Sequence, residues 1–213
     1  MRSLYGLKHW YTRRLGFLVQ ASVRRGISPD LWTVVGVAAG ALGAGAVALG
    51  WWPAAFVLLA ARLGGANLDG AVARARGVSR PFGFVLNELG DRLSDLLMMA
   101  GLVCLAWRSG PAGSPVLLLV ATVAATLPTF VSLSAAGAGA PRLNGGPVGK
   151  TERCLLAVLA AAQPAWLLVI GWVIIVGSLL TATVRLLRTR AALAAPGGAS
   201  PQATPAGTAP AAR

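Results

Sequence analysis

Residues 31–73 read LWTVVGVAAGALGAGAVALGWWPAAFVLLAARLGGANLDGAVA, with one base, Arg62, and one acid, Asp69, in the whole run. A bilayer-crossing helix needs about 20 predominantly apolar residues, so the run holds two such helices. They part at Trp51-Trp52-Pro53, where the Trp pair suits a membrane interface and the proline suits the first turn of a helix. The predicted spans are therefore 31–52 and 53–73. Working outward, 82–107 and 116–136 repeat the pattern. Residues 152–162 form a shorter apolar stretch, and Pro164 separates them from 166–187. The fifth span is expected to begin in the Gly-rich stretch before Lys150. A single broken helix over the last two stretches is the rival reading.

Composition excludes a soluble domain. Of 213 residues, 56% are apolar and 12% charged, with a mean hydropathy of +0.69. A soluble domain carries about twice that share of charge. The net charge of +13 then points to basic cytoplasmic loops rather than to nucleic acid, which is not expected as a partner. Cys104 and Cys154 are the only cysteines. No CxxC or Cys/His cluster exists, so neither a zinc site nor a disulfide scaffold is implied.

The bases alternate between loops. Arg2, Lys8, Arg13, Arg14, Arg24 and Arg25 precede the first span, and Arg74, Arg76 and Arg80 lie between the second and third. Arg142, Lys150 and Arg153 lie between the fourth and fifth, and Arg185, Arg188 and Arg190 close the sixth. The opposite loops hold only Arg108. This fits six spans with both termini cytoplasmic; five spans would leave the last Arg cluster outside. Residues 1–28 lack the apolar run of a signal peptide and are expected to form a basic, interfacial amphipathic segment, with an unstructured leader as the alternative. Residues 29–190 are the membrane bundle. Residues 191–213, without periodicity, are expected to be a disordered cytoplasmic tail.

The chain has six acids, and four of them, Asp69, Glu88, Asp91 and Asp95, fall inside predicted spans. A carboxylate at membrane depth costs at least about 2.5 kcal/mol, so such groups mark function or pairing. At 100° per residue, Asn87, Glu88, Asp91 and Asp95 fall within about 100° of one another, and Arg62, Ala66, Asp69 and Ala73 share a face of the preceding span. Clustered carboxylates suit a divalent cation with oxygen ligands. Two other readings stay open: a neutral ion-pair network with Arg62, Arg74 and Arg92, and a proton or cation relay of a small transporter.

The spacing Asp69-Gly70-x2-Ala73-Arg74-x8-Gly83-x3-Asn87-x3-Asp91 resembles the signature of the CDP-alcohol phosphotransferase family, D-x2-D-G-x2-A-R-x8-G-x3-D-x3-D. Ser28-Pro29-Asp30-Leu31-Trp32-Thr33 is similar to the family's S-P-N-x-x-T at the start of its first span. Two positions depart: Ala66 and Asn87 stand where the family has its first and third acids. The resemblance implies an all-α integral membrane enzyme of six transmembrane helices. It would transfer a phosphatidyl group from a CDP-linked lipid, such as CDP-diacylglycerol, to an alcohol, releasing CMP in phospholipid biosynthesis. It also implies one or two divalent ions, Mg2+ or Mn2+, and a homodimer.

Carried over position by position, the resemblance makes Asp91 the general base. It assigns metal binding to Asp69, Asn87 and Asp91, with Glu88 and Asp95 expected to restore the missing charge. It assigns the CDP-lipid site to Thr33, Asp69, Gly70, Ala73, Arg74 and Gly83. Arg142, Lys150 and Arg153, in or beside a Gly-rich loop, are candidates for an acceptor's phosphate, or else ordinary bases of a cytoplasmic loop. A degenerate, non-catalytic family member is the alternative that Ala66 and Asn87 raise.

Overall fold

The computed structural model describes residues 15–143 and 145–194, and every regular element among them is helical. A short helix, α1 (Gly16–Arg24), is followed by α2 (Pro29–Ala48), α3 (Trp52–Ala75), α4 (Pro81–Ser109), α5 (Ser114–Gly137), α6 (Lys150–Ala162) and α7 (Leu167–Ala194), with a 3-10 turn, Pro164–Trp166, before the last. The starts follow local chemistry. Ser28 caps α2 by accepting the Leu31 N–H at 3.3 Å, and Pro29 takes the first turn, where its missing donor costs nothing. The turns on either side of α3 need glycine: Gly50 and Gly77 have φ of 71° and 64°.

α2 is the centre of the first group, packed along both α3 and α4. It can do so because its inner face has little side chain. A Cβ on Gly65 would lie 2.7 Å from the Gly36 Cα, and one on Gly40 would lie 2.9 Å from the Ser94 Cβ. With no hydrophobic force between helices in lipid, such close backbone packing is what holds them. The adjacent helices α3 and α4 consequently touch each other little, despite their short connection. α5 pairs with α7, α4 bridges to α5, and α6 is wedged against α3, α4 and α2.

The bundle is inverted relative to a soluble one. Phe82, Phe84, Val85, Leu89, Leu93 and Leu96 of α4 are exposed, while Asp95 on the other face is buried. Trp51, Trp52, Trp107 and Trp166 are exposed and lie at the connections of one end, as in an aromatic belt. The protein is an integral membrane protein. Among the described residues, four helices, Pro29–Ala48, Trp52–Ala75, Ser114–Gly137 and Pro164–Ala194, are long and apolar enough to cross a membrane by length and composition. α4 has 29 residues, enough to cross, but carries the charged stripe.

Three expectations need correction. The Gly-rich stretch is not helical: among the described residues of 138–149 the chain is turn and extended, and α6 starts only at Lys150. Its 13 residues rise about 20 Å, short of the roughly 30 Å hydrocarbon core. The tail boundary at 191 falls inside α7, which runs to Ala194, and residues 195–213 lie outside the described residues. Of the N-terminal segment, 1–14 also lie outside them, and the described part is the nine-residue α1. α1 is docked to the bundle, with Trp32 Nε1 donating to Ser22 Oγ at 3.0 Å and Arg76 donating to the Ile27 carbonyl at 2.7 Å. The single broken helix is ruled out by α7, which turns back after Pro164: its Thr181 Oγ1 accepts the Val148 N–H just ahead of α6.

Candidate active site

Three helices supply one pocket. Thr33 of α2, Ala66 and Asp69 of α3, and Asn87 and Asp91 of α4 line it, with Arg62 at its floor. Asp69 is 4% exposed. Its Oδ2 accepts from Thr33 Oγ1 at 3.0 Å and from the Asn87 amide, and its Oδ1 accepts the Gly70 N–H at 2.6 Å. All three donors are neutral. Among the described residues, no base pairs with Asp69.

The other three acids of the cluster, all on α4, are each matched by a base from the loop before α6 or from the first turn of α6. Arg142 donates to Glu88 Oε2 and stacks over Phe84, 5.3 Å from the ring centroid. Lys150 Nζ donates to both oxygens of Asp91, at 2.8 and 2.7 Å. Arg153 donates to Asp95 at 2.7 Å. The stripe 88, 91, 95 on one helix is thus zipped to 142, 150, 153 on the other side. Arg62 and Arg92 complete the network: Arg62 reaches Asp95 at 2.6 Å and Cys154 Sγ at 3.0 Å, and Arg92 reaches Asp95 at 3.2 Å and Thr129 at 2.7 Å.

Local structure explains why Lys150 is there. It is the first residue of α6, whose N-terminus is capped by Glu152 accepting the Gly149 N–H at 3.0 Å. The first residue of α6 therefore sets its ammonium on Asp91. The loop that brings Arg142 is held from behind by Arg185. That guanidinium donates to the Gly145 carbonyl at 2.9 Å, the Pro128 carbonyl at 2.8 Å and Ser132 Oγ at 2.8 Å.

The site residues read from the sequence fare differently. Thr33, Asp69, Asn87 and Asp91 come together in the pocket. Gly70 has a use: a Cβ there would stand 3.2 Å from Arg74 Nη1, so the glycine makes room for that guanidinium. Ala73, next to Arg74, is half-buried. Gly83 is not at a helix–helix contact: the nearest atoms to a Cβ there belong to the Arg80 side chain. Glu88 and Asp95 are not placed to replace the missing acids. Asp95 is buried and spends its oxygens on three guanidiniums, and Glu88 is held by Arg142 and Arg92. The ion-pair network is thus real for these two, with Arg142 and Arg153 as partners beside Arg62 and Arg92, and without Arg74. Sequence reading missed the clamp by Arg185, which it had counted only as a topology marker.

The donor set can be tested against a metal. A buried carboxylate without a basic partner is unfavourable unless a cation joins it. Asp69, Asp91 and the Thr33 hydroxyl offer hard oxygen donors of the kind that suits Mg2+ or Mn2+, while the Asn87 amide turns its nitrogen to Asp69. Ala66 offers nothing, and no group of three or more acidic, His or Cys side chains able to hold an ion occurs among the described residues.

Comparison with known proteins agrees with this geometry. The family model for CDP-alcohol phosphatidyltransferase matches residues 27–195. The chain belongs to that family, whose members are membrane transferases of phospholipid biosynthesis. The family reaction moves a phosphatidyl group from a CDP-linked lipid to an alcohol. Among its relatives, the phosphatidylinositol phosphate synthase of Mycolicibacterium smegmatis is 32% identical over 200 residues, covering 86% of each chain. That of Mycobacteroides abscessus is 34% identical over 192 residues, covering 81% of this chain and 82% of the other. The crystal structure of Mycobacterium tuberculosis phosphatidylinositol phosphate synthase (PgsA1) with CDP-DAG bound matches with a TM-score of 0.70 at 26% identity, over 88% of this chain and 97% of that one. The same enzyme in complex with manganese and citrate also matches at 0.70 and 26%, over 87% and 92%.

Proposed function

We propose that this chain transfers the phosphatidyl group of CDP-diacylglycerol to a phosphorylated polyol, of the inositol phosphate kind, with release of CMP. The observation that carries the reading is the zipper of Arg142, Lys150 and Arg153 against Glu88, Asp91 and Asp95. Lys150, paired with Asp91 of the pocket, and its neighbours Arg142 and Arg153 would be the bases that hold an acceptor's phosphate. The names of the relatives point the same way.

Asp69, Gly70 and Arg74 would hold the CDP end of the donor, with Thr33 fixing the Asp69 carboxylate and Ala73 and Gly83 giving the motif its low profile. Asp91 is the general base. Lys150 takes two of the carboxylate's lone pairs, and a carboxylate has about four such sites, so two remain, one of them for the acceptor proton. The acceptor hydroxyl gives that proton to Asp91 as its oxygen bonds to the β-phosphorus. The bond from that phosphorus to the oxygen bridging it to the α-phosphorus breaks, and CMP leaves with the electron pair. Asp69 and Asp91, helped by Asn87, would hold a divalent ion, which neutralises the pyrophosphate and the departing CMP. The third N–H of Lys150 remains for an acceptor phosphate.

The bundle would sit in the bacterial cell membrane as six spans with both termini and the pocket cytoplasmic. α6, only 13 residues long, would cover the outer part of its crossing, and the Gly-rich loop would dip in to meet it. A homodimer is part of the same proposal. Ala66 and Asn87 favour a second reading, a non-catalytic family member.

CMP release from CDP-diacylglycerol in vesicles, with inositol phosphate, glycerol phosphate, inositol and serine as acceptors, separates these. The expected result is release with a phosphorylated polyol and little with the neutral alcohols. Preference for inositol or serine contradicts the acceptor class, and no release with any acceptor favours the second reading.

A further inference from the structure

We infer that Lys150 makes this chain selective for phosphorylated acceptors by controlling its base: the ammonium holds Asp91 until an acceptor's phosphate draws it away, so neutral alcohols and water are turned over poorly. The inference rests on the proposed function in taking Asp91 as the base and CDP-diacylglycerol as the donor.

Three observations carry it. First, the pair lies at the pocket and is exclusive. Lys150 Nζ donates to both Asp91 oxygens, at 2.8 and 2.7 Å, and Asp91 lines the pocket. Arg62 lines it too, but its Nη2 donates to the Asp91 backbone carbonyl at 3.3 Å, and the guanidinium is spent on Asp95 and Cys154. Among the described residues, Lys150 is therefore the one base on that carboxylate. Second, this pair is the least enclosed of those around it. Asp95 is held by three guanidiniums and Glu88 by two. The Lys150 and Asp91 side chains are matched one to one and are 26% and 17% exposed, against 4% and 10% for Arg153 and Asp95. Third, the residue is a lysine. Lys8 and Lys150 are the chain's only lysines, and the other acids of the stripe are paired with arginine. A guanidinium grips a carboxylate through a rigid fork, whereas an ammonium is a point charge on a flexible stem. The backbone beneath that stem is tied down, because Glu152 accepts the Gly149 N–H and Thr181 Oγ1 accepts the Val148 N–H.

Proton transfer to Asp91 breaks its ion pair with Lys150, a large loss in a site of low dielectric. A phosphate on the acceptor gives the ammonium a new anionic partner. Water and neutral alcohols give it none. With water in the acceptor's place, the side reaction would pass a water proton to Asp91 as the water oxygen bonds to the β-phosphorus. CMP would leave with the electron pair of the broken bond, and phosphatidic acid would remain. Lys150 suppresses that hydrolysis.

The test measures CMP, phosphatidic acid and phospholipid product from CDP-diacylglycerol in proteoliposomes, with inositol phosphate, inositol or no acceptor. The wild-type chain should transfer to inositol phosphate and form little phosphatidic acid. A general base contributes roughly 10²- to 10⁴-fold, so in Lys150→Met phosphatidic acid formed without acceptor should rise about tenfold or more. The kcat for inositol should rise relative to that for inositol phosphate, and the KM for inositol phosphate should rise as well. Lys150→Arg should keep phosphatidic acid at the wild-type level but lose kcat with inositol phosphate, because the fork does not let go. A gain of hydrolysis cannot come from misfolding. A Lys150→Met chain that binds CDP-diacylglycerol but makes no more phosphatidic acid than wild type overturns the inference, and Lys150→Gln is read by the same criterion where Lys150→Met fails to bind the donor. If the wild-type chain transfers to inositol phosphate while the variant's hydrolysis is unchanged, the inference alone falls. A wild-type chain that forms no product with any acceptor removes the proposed function and the inference with it.

Discussion

Asp95 and Glu88 show how far a residue's chemistry is set by what faces it. Both are acids on the same stripe as Asp91, and from spacing alone both look able to bind an ion. The decisive pairings join Glu88 to Arg142, Asp91 to Lys150 and Asp95 to Arg153, separations of 54, 59 and 58 residues. Helical periodicity does not reach across such distances, so the motif was legible in the sequence and the partners of its neighbours were not. The Asp69, Asp91 and Thr33 grouping was legible because the motif fixes two helices and the capped start of the third.

Two outcomes follow at this scale. Asp95→Ala strands Arg62 and Arg153, which are 1% and 3% exposed, and breaking a buried pair costs about 3–5 kcal/mol. Thermal unfolding in detergent should show that loss, with the Mn2+ count unchanged; a stable variant lacking metal would restore Asp95 as a ligand. Glu88→Gln frees Arg142 from a competing carboxylate. The KM for a phosphorylated acceptor should fall roughly two- to fivefold, and a rise would mean that Glu88 orients Arg142 rather than competing for it.

At the level of elements, the bundle depends on glycine backbones more than on large side chains. The helix bounds were legible to within a few residues because apolar runs end at Pro, Gly and Trp. The Gly-rich stretch before α6 was not, since its apolar and small residues read equally as a helix or as a loop. Val148, buried against α7, and the Thr181 hydroxyl hold it in extended form. At the α2–α3 contact, Gly65→Ala would place a methyl 2.7 Å from the Gly36 Cα and 2.9 Å from the Trp32 carbonyl oxygen. Backbone must move, at a cost of about 1–3 kcal/mol, and Thr33, one residue from Trp32, must shift from Asp69. The expected outcome is a lower unfolding temperature together with weaker CDP-diacylglycerol binding. Loss of stability with unchanged donor binding would separate the contact from the site.

For the whole molecule, the account joins a bundle with one basic end and one Trp-rich end to a pocket that opens at the basic end. Reporter fusions in the 109–114 connection should report the outside, and fusions after α7 the cytoplasm. An external C-terminus would remove the six-span arrangement. The proposed reaction rests on Asp91, which lines the pocket and is paired with Lys150. The most direct measurement is CMP release and phospholipid product formed by the wild-type chain and by Asp91→Asn in proteoliposomes, with CDP-diacylglycerol and inositol phosphate. The account predicts turnover in the wild type and a fall of roughly 10²- to 10⁴-fold in the variant, with donor binding largely kept. A wild-type chain that forms no product, or an Asp91→Asn chain as active as wild type, would contradict it.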